Sequence, residues 1–222
     1  IKNKIDTVLK SLIDLKNLKE KNSSIKALAY QLYENNGVLK RQNVTEYLKD
    51  LGQNERKILR DLGVKFGRYH VFLHRLIKPE AVSIRTLLWK NYHQKHFNLS
   101  PPTFGLNFIT DKNFTNKNFM LLCGFEKFES FYVRIDILER LFMQIINSNS
   151  EKEIKMVPEM LNLLGCNKDN FKILLKKMNY KIMEKNNEVF FRYIPQKNNK
   201  KTFNKKISNE SPFKVLKNLN LG

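Results

Sequence analysis

The most regular hydrophobic pattern of the chain lies in residues 131–195. It starts with hydrophobic positions at helical spacing. The spacing begins at Asp136 and ends near Asn147, which predicts an amphipathic helix with one wide apolar face. That face consists of Ile137, Leu138, Leu141, Phe142, Ile145 and Ile146. A short β-tending run over 153–157 follows. A second helix is then predicted to begin at Pro158, because the first turn of a helix has no use for the N–H that proline lacks.

The second helix is predicted to end at Leu164, since Gly165 is a good left-handed cap. Only two residues separate this glycine from a third helix over 168–178. The apolar face of the third helix consists of Phe171, Leu174, Leu175 and Met178. Another face carries lysines at spacings of four, which places them in one row: Lys168, Lys172 and Lys176. These lysines either contact phosphates or form the solvated side of a packed helix, and both interpretations stay open.

A β-hairpin is predicted to follow the third helix. Residues 180–185 and 188–194 are rich in aromatic and β-branched side chains. Asn186 and Asn187 join the two runs, and asparagine tolerates the positive φ that a two-residue hairpin turn requires. Helix, short strand, helix, helix and hairpin is the element order of a winged helix, a small fold that often binds nucleic acid.

Two carboxylates at the start of the first helix have capping-box spacing. Asp136 would accept from the first free N–H groups, and Glu139 would reach back toward the helix start. Arg134 and Arg140 lie alongside. This pattern favours capping over a catalytic carboxylate pair.

The preceding residues predict mostly helices. Helical spacing covers 5–20, continues from Ser23 or Ser24 to Glu34, and returns over 43–51 and 54–62. These periods are followed by the run 64–73, which fits either a strand or a tight helical turn. A further helix is expected from Pro79 to about Tyr92, with these side chains facing inward: Ile84, Leu87, Leu88 and Trp89.

The sequence as a whole therefore predicts a mainly α protein without a visible internal repeat. An N-terminal helical domain (1–96) is followed by a connector (97–130) that contains Pro101-Pro102 and one or two short strands. A winged-helix (α+β) domain (131–195) comes next. The Lys/Asn-rich tail (196–222) is basic, low in complexity and predicted to be disordered in isolation.

The net charge of +20 indicates a polyanionic partner. Part of this net charge reflects a composition rich in Lys, Asn, Ile and Phe. AT-rich genomes encode proteins of such composition whatever their function. The distribution is more informative: residues 1–96 carry 20 basic and 9 acidic side chains, and the tail carries seven lysines and one glutamate. Nucleic acid is favoured over membrane, because no strongly amphipathic basic helix has aromatic anchors and no apolar run approaches ~18–20 residues. Cys123 and Cys166 have no close sequence partner, which indicates a reducing, cytoplasmic location.

Motifs for nucleotide and metal chemistry are not complete in this sequence. Gly63 and Gly67 lack the following Lys-Ser/Thr of a phosphate-binding loop, and no acidic helicase box occurs, so we expect no cofactor in this segment. Two histidine pairs, 70/74 and 93/96, have helical metal-ligand spacing, but no cysteine pair or nearby carboxylate completes a site. His70, beside Arg68 and Tyr69, is assigned instead to the core or to a phosphate contact. No nucleophile, histidine and acid are arranged for covalent catalysis.

Several stretches resemble the C-terminal region, beyond the motor domains, of a bacterial helicase family. The family is related to the ATP-dependent RNA helicase of the mitochondrial degradosome. The resemblance lies in 63–73 with 76–79 and 85–89, in 27–34 with 37–39, in 133–141, in 158–166 and in Ser211-Pro212-Phe213. It implies a parent protein in which two upstream RecA-like domains, with ATP and magnesium, drive the unwinding of nucleic acid, with RNA favoured over DNA.

The resulting hypothesis is an accessory nucleic-acid-binding region of such a helicase. Its partners would be the nucleic acid, the upstream motor domains and a nuclease or other decay-complex subunit, without a membrane. The candidate contacts are Lys168, Lys172 and Lys176, with Lys185 and Arg192 from the hairpin and Arg68 and His70 from the first domain. The alternatives are a protein-interaction module that uses the exposed helices and the patch around Phe213, and a stand-alone winged-helix protein.

Overall fold

The computed structural model describes residues 2–19, 23–93, 98–110, 116–147 and 153–194. The helices are α1 Lys2–Val8, α2 Lys10–Lys16, α3 Ser23–Glu34, α4 Thr45–Asp50, α5 Gln53–Asp61, α6 Pro79–Tyr92, α7 Lys117–Leu122, α8 Ile135–Asn147, α9 Pro158–Leu164 and α10 Lys168–Lys177, with 3-10 turns at Arg41–Val44 and His74–Ile77. The strands are β1 Val38–Lys40, β2 Val64–Phe66, β3 His70–Leu73, β4 Phe108–Thr110, β5 Phe125–Phe128, β6 Phe131–Arg134, β7 Ile154–Lys155, β8 Tyr180–Lys185 and β9 Glu188–Tyr193. The predicted tail lies outside the described residues.

The strands of the described residues form three antiparallel sheets of three strands each, in the orders β1-β3-β2, β4-β6-β5 and β7-β9-β8. In every sheet the second strand of a hairpin is central, and a strand from before the hairpin pairs with its free edge. Helix, strand, one or more helices and hairpin therefore form a unit that recurs over 23–73 (the first unit), 79–134 (the second) and 135–193 (the third). The repetition is one of topology, which explains why the sequence did not reveal it.

The predicted fold class was wrong. The chain is mixed α/β, with 56% of the described residues helical and 20% in strands, and a winged helix is not identified among them. Runs of only three or four residues, such as 64–66 and 70–73, pair as strands, and periodicity over so short a run cannot show pairing. Residues 131–134, placed at the start of the winged-helix domain, instead form the central strand of the preceding sheet.

Several local elements lie where their patterns predicted them. Helix α9 has the predicted bounds and ends at Gly165 with φ 73°. The turn of the last hairpin has φ values of 51° at Asn186 and 61° at Asn187, as a primed two-residue turn requires. The single helix predicted over 5–20 is instead two helices that meet at Leu9.

The inward face of α6 was predicted correctly for Ile84 and Trp89, which pack against apolar clusters, and incorrectly for Leu87 and Leu88. Leu87 and Leu88 are 59% and 42% exposed. The side chains that α6 buries are Ala81, Val82, Arg85 and Thr86. Arg85 is kept inside because its Nη1 donates to the carbonyl of Leu76 at 2.7 Å and its Nη2 donates to the carbonyl of Asn36. Burial lowers the pKa of this guanidinium to about 10, so it stays charged at neutral pH.

Among the described residues, two large apolar cores lie in the N-terminal and C-terminal parts and meet through the first sheet. One core surrounds α2 to α5 and the first sheet, and the other surrounds α8 to α10 and the third sheet. Tyr69 of the β2–β3 turn packs into the second core, with its ring centroid 4.7 Å from that of Phe142. A smaller cluster joins Val38 and Phe72 to Ile135. Each fully buried large side chain contributes roughly 1.5–3 kcal/mol, so this packing fixes the position of the first hairpin against α8.

Candidate functional site

The lysine row of α10 lies on the outer side of a well-anchored helix. Asn167 caps the helix, since its side chain accepts from the N–H of Asn170 at 2.9 Å. The inner side buries Phe171, Leu174 and Leu175. Of the three predicted lysines, Lys168 and Lys176 are exposed and Lys172 is half-buried. The helix therefore presents two of the three predicted cations to solvent.

Lys172 is partly neutralised by the neighbouring hairpin. Its Nζ lies 2.6 Å from Oε1 of Glu184 on β8. This hydrogen bond raises the pKa of Lys172 and lowers the pKa of Glu184. At the end of the helix, Lys177 pairs with Glu129 at 3.0 Å. Within the described residues, Lys168 and Lys176 form no salt bridge, so they carry the uncompensated charge of the row.

The two hairpin candidates differ in their surroundings. Lys185 donates to Oε2 of Glu153 at 2.6 Å, which holds it beside the β7 edge. Arg192 is exposed and lies directly opposite Lys181 in the β8–β9 register. Like charges in this cross-strand position repel each other. Lys181, which sequence analysis did not single out, therefore joins Arg192 in a small cationic patch.

Arg68 reaches the C-terminal sheet from the first hairpin. Its Cζ lies 5.0 Å from the ring centroid of Tyr193 on β9, a cation–π arrangement. Arg192 is the neighbour of Tyr193 in sequence, so the tertiary fold brings two of the predicted candidates to one sheet although they are far apart along the chain. Lys168, Lys172 and Lys176 belong to α10 of the same unit.

His70 does not fit the predicted phosphate contact. It is 2% exposed, with Nδ1 3.0 Å from Oε1 of Glu139 and Nε2 3.3 Å from Oε2 of Glu126. Burial acts to lower the pKa of His70, but the hydrogen bonds to Glu126 and Glu139 outweigh it and raise the pKa. Glu126 also accepts from Nζ of Lys40 at 2.5 Å. His70 therefore belongs to a buried ionic network that joins three strands and α8.

Glu139 is the centre of that network, and the predicted capping box is not formed. Its Oε1 accepts from the N–H groups of Tyr69 at 2.9 Å and His70 at 2.7 Å, and its Oε2 accepts from the N–H of Arg68. Helix α8 begins at Ile135, so Glu139 lies beyond its first turn. Three successive N–H groups in a tight turn need an acceptor, but no local pattern shows that a distant glutamate supplies it.

Glu126 is the second carboxylate of this network, and sequence analysis missed it as well. Burial acts to raise its pKa, but hydrogen bonds with His70 and Lys40 outweigh it and lower the pKa. Alternation along β5 could have marked its face, but not its partners. Among the described residues, no group of three or more His, Cys, Asp or Glu side chains could hold a metal ion. His96, of the second histidine pair, lies outside them.

Comparisons with known proteins found no match, so any functional argument starts from the site itself. No family model matches the chain, and no curated protein or solved structure matches it. In the part of the chain that the structure covers, every helix is too short or too polar to cross a membrane.

Proposed function

We propose that this chain is a nucleic-acid-binding accessory region, with RNA as the favoured ligand. The observation that carries the proposal is the outer face of α10, where Lys168 and Lys176 are exposed and have no salt bridge within the described residues. The two lysines are about 12 Å apart along the helix axis, a span that several phosphates of one strand cover. Such contacts hold the backbone and carry little sequence information.

The family resemblance suggests which motor such a region would serve. ATP and magnesium would be bound by RecA-like domains of an ATP-dependent helicase, acting in the cytoplasm. This chain would hold the strand as it enters or leaves the motor, so that movement of the motor along the nucleic acid separates its two strands. A strand-holding role requires affinity without sequence preference, which is what exposed lysines provide.

The test is the salt dependence of binding to a labelled single strand of RNA. We expect the affinity of the wild-type chain to fall steeply with salt. In the triple variant Lys168→Ala/Lys172→Ala/Lys176→Ala the log–log slope should become shallower by about 0.7 for each lost contact. Circular dichroism should show a nearly unchanged thermal transition, because Lys168 and Lys176 are exposed and Lys172 takes part only in a surface pair with Glu184.

The matched control is Lys10→Ala/Lys26→Ala/Lys49→Ala. It removes three exposed lysines from other helices, of which Lys49 is paired with Glu46 much as Lys172 is paired with Glu184. The control should bind as the wild type does. Wild-type affinity that ignores salt, or an equal loss in both triple variants, would contradict the proposal.

A protein-interaction module is the second candidate, because α6 presents an apolar surface. Leu87, Leu88 and Tyr92 are 59%, 42% and 84% exposed. Adjacent exposed apolar side chains often mark contacts with another protein, such as a nuclease subunit. Association that survives nuclease treatment and is lost in Leu88→Ser/Tyr92→Ser would favour this candidate. The predicted Phe213 patch lies outside the described residues.

A further inference from the structure

Two arginines of α5 face one aromatic ring at the tip of the first hairpin. Arg56 and Arg60 are four residues apart and therefore share a helix face. The Cζ atom of each lies 5.8 Å from the ring centroid of Phe66. Arg56 also donates to the carbonyls of Leu48 at 2.5 Å and Leu51 at 3.1 Å. The two carbonyls fix the guanidinium group of Arg56, which limits the side-chain entropy that binding a ligand would cost there, whereas Arg60 contacts only the ring.

Two further arginines complete the cluster at the same turn. Nη1 of Arg41 donates to the carbonyl of Gly67 at 2.7 Å. Arg68 follows this glycine in the chain and lies over the ring of Tyr193. Burial lowers the pKa of Arg41, and the charges of Arg56 and Arg68 lower it further. The guanidinium groups of Arg56 and Arg68 are thus close enough to that of Arg41 to repel it, and Arg60 joins them through the ring that it shares with Arg56. We refer to Arg41, Arg56, Arg60 and Arg68 as the arginine cluster.

No carboxylate of the described residues forms a salt bridge with the arginine cluster. Glu139 contributes a favourable charge to Arg41 without a salt bridge. Both of its oxygens are already occupied by the N–H groups of 68–70 and by the His70 ring. By contrast, Lys40, Lys172 and Lys185 each pair with a glutamate. Positive charge is therefore concentrated at this turn without a salt-bridged carboxylate among the described residues.

Composition does not account for the arginine cluster. The chain has 9 arginines among 41 basic residues, so the basic residue expected by chance at any surface position is lysine. Four of the nine arginines nonetheless meet at one turn. Arginine differs from lysine in its planar fork of five N–H donors, which matches two oxygens of a phosphate. Arg60 uses none of its donors in a hydrogen bond within the described residues, so its fork is free for a ligand.

A purely structural role explains only part of this arrangement. Arg56 supports the end of α4, and Arg41 supports the hairpin turn. Neither role explains why Arg60 and Arg68 add two more charges to the same place, at an electrostatic cost. A bound anion would offset that cost and would use the donors that face away from the ring and the carbonyls.

We propose that the arginine cluster binds successive phosphates of a single nucleic-acid strand. The site lies on the first unit, separate from the lysine row of α10, and becomes the stronger of two contacts with one strand. This inference rests on the proposed function, since it names a second place where the same ligand is held. Arg68 connects the two contacts, because it stands on the first hairpin and touches β9.

The test uses the full chain and Arg60→Glu/Arg68→Glu, because neither side chain holds a backbone carbonyl within the described residues. The control is Arg75→Glu/Lys78→Glu, which reverses two exposed charges beyond the opposite end of the same hairpin and changes the net charge equally. Fluorescence anisotropy with a single-stranded RNA of about 12 nucleotides reports affinity. We expect a loss of about tenfold or more for the cluster variant and about twofold or less for the control.

Two further variants keep the result interpretable. Arg60→Gln/Arg68→Gln removes charge without reversing it, and it answers the question if the Glu variant folds poorly. Arg60→Lys/Arg68→Lys keeps the charge but loses the fork, so it should recover only part of the affinity. Inorganic phosphate at matched ionic strength should compete no better than chloride, because a strand presents several linked phosphates to the arginine cluster and a free phosphate presents one. Efficient competition would assign the site to a small anion and overturn the strand assignment.

The outcomes separate this inference from the proposed function. Equal affinities for the cluster and control variants, with a loss in the α10 lysine variant, would reject the arginine cluster and leave the proposed function standing. A wild-type chain that binds no strand at low salt would reject both. A loss in the cluster variant alone would support the arginine site and assign the α10 lysines to the solvated side of their helix.

Discussion

The tips of the first and last hairpins are built in different ways, although each hairpin ends a unit of the same topology. The backbone N–H groups of the β2–β3 turn donate to the carboxylate of Glu139 on α8, and Tyr69 of this turn packs against the C-terminal core. The β8–β9 turn consists of Asn186 and Asn187, which are exposed and supply positive φ themselves. A turn can thus be specified by its own residues or by an acceptor from another unit. Only the second kind holds the arginine cluster at a fixed place.

The largest effect should follow from Glu139→Gln. The substitution removes the charge that accepts from three backbone N–H groups and from His70, and it leaves buried donors without a full partner. We expect a loss of about 3 kcal/mol in the free energy of unfolding, measured with urea. The control Glu184→Gln breaks the exposed pair with Lys172 and should leave the free energy of unfolding nearly unchanged. Equal losses in both variants would mean that the first turn is no better anchored than the last.

Gly67→Ala should have the next largest effect. A Cβ at this position would lie 2.3 Å from Cδ of Glu139, so either the turn or the carboxylate must move. We expect a cost of about 2 kcal/mol, within the usual range for overpacking. Gly52→Ala is the control, because its new Cβ would meet only the carboxylate end of the Glu55 side chain. A Gly67→Ala chain as stable as this control would show that Glu139 can withdraw at little cost.

The pH dependence of stability should distinguish the two tips more finely. The folded state raises the pKa of His70 above its unfolded value near ~6.5. The stabilisation it gives is therefore complete below that pH and is lost as pH rises through the folded pKa. The groups that face His70 are Glu126 and Glu139, with Lys40 behind Glu126. The pKa of Glu126 is lowered, so this carboxylate stays ionised between pH 6 and 9.

The corresponding measurement compares wild type with His70→Gln from pH 6 to pH 9. The stability advantage of the wild type should shrink as pH rises, by less than the losses caused by Glu139→Gln and Gly67→Ala. No such trend is expected for Asn186→Ala at the other tip, which has no histidine. An advantage that grows with pH would show that burial, rather than the two carboxylates, dominates the pKa of His70.

Asn187→Gly should have the smallest effect. Asn187 already has a φ of 61°, and Asn-Gly is a favoured sequence for a two-residue hairpin turn. We expect thermal unfolding to report a neutral or slightly stabilising change within about 0.5 kcal/mol. A cost above about 1 kcal/mol would show that contacts of the Asn187 side chain, and not its backbone preference, hold the last turn.

The lysine row and the arginine cluster show the same division at the level of the candidate site. Spacings of four along one helix were enough to place Lys168 and Lys176 on one face. The arginine cluster is assembled from the turn after β1, helix α5 and the β2–β3 hairpin, and only Arg68 was named from the sequence. The phosphate contact predicted for His70 was not compatible with its burial. A charge pattern in the sequence does not reveal which cations find carboxylates and which do not.

By itself, the sequence determined the elements whose signals lie within a few residues: the bounds of α9, the cap at Gly165 and the asparagine turn of the last hairpin. The tertiary structure alone decided the mixed α/β class, the three sheets and the role of Glu139. Helical period, caps and turn residues act through contacts about four residues apart or fewer. Strand pairing and the acceptor for the first turn depend on residues as many as 71 positions apart, which must be brought together by burial of the two cores before their hydrogen bonds can form.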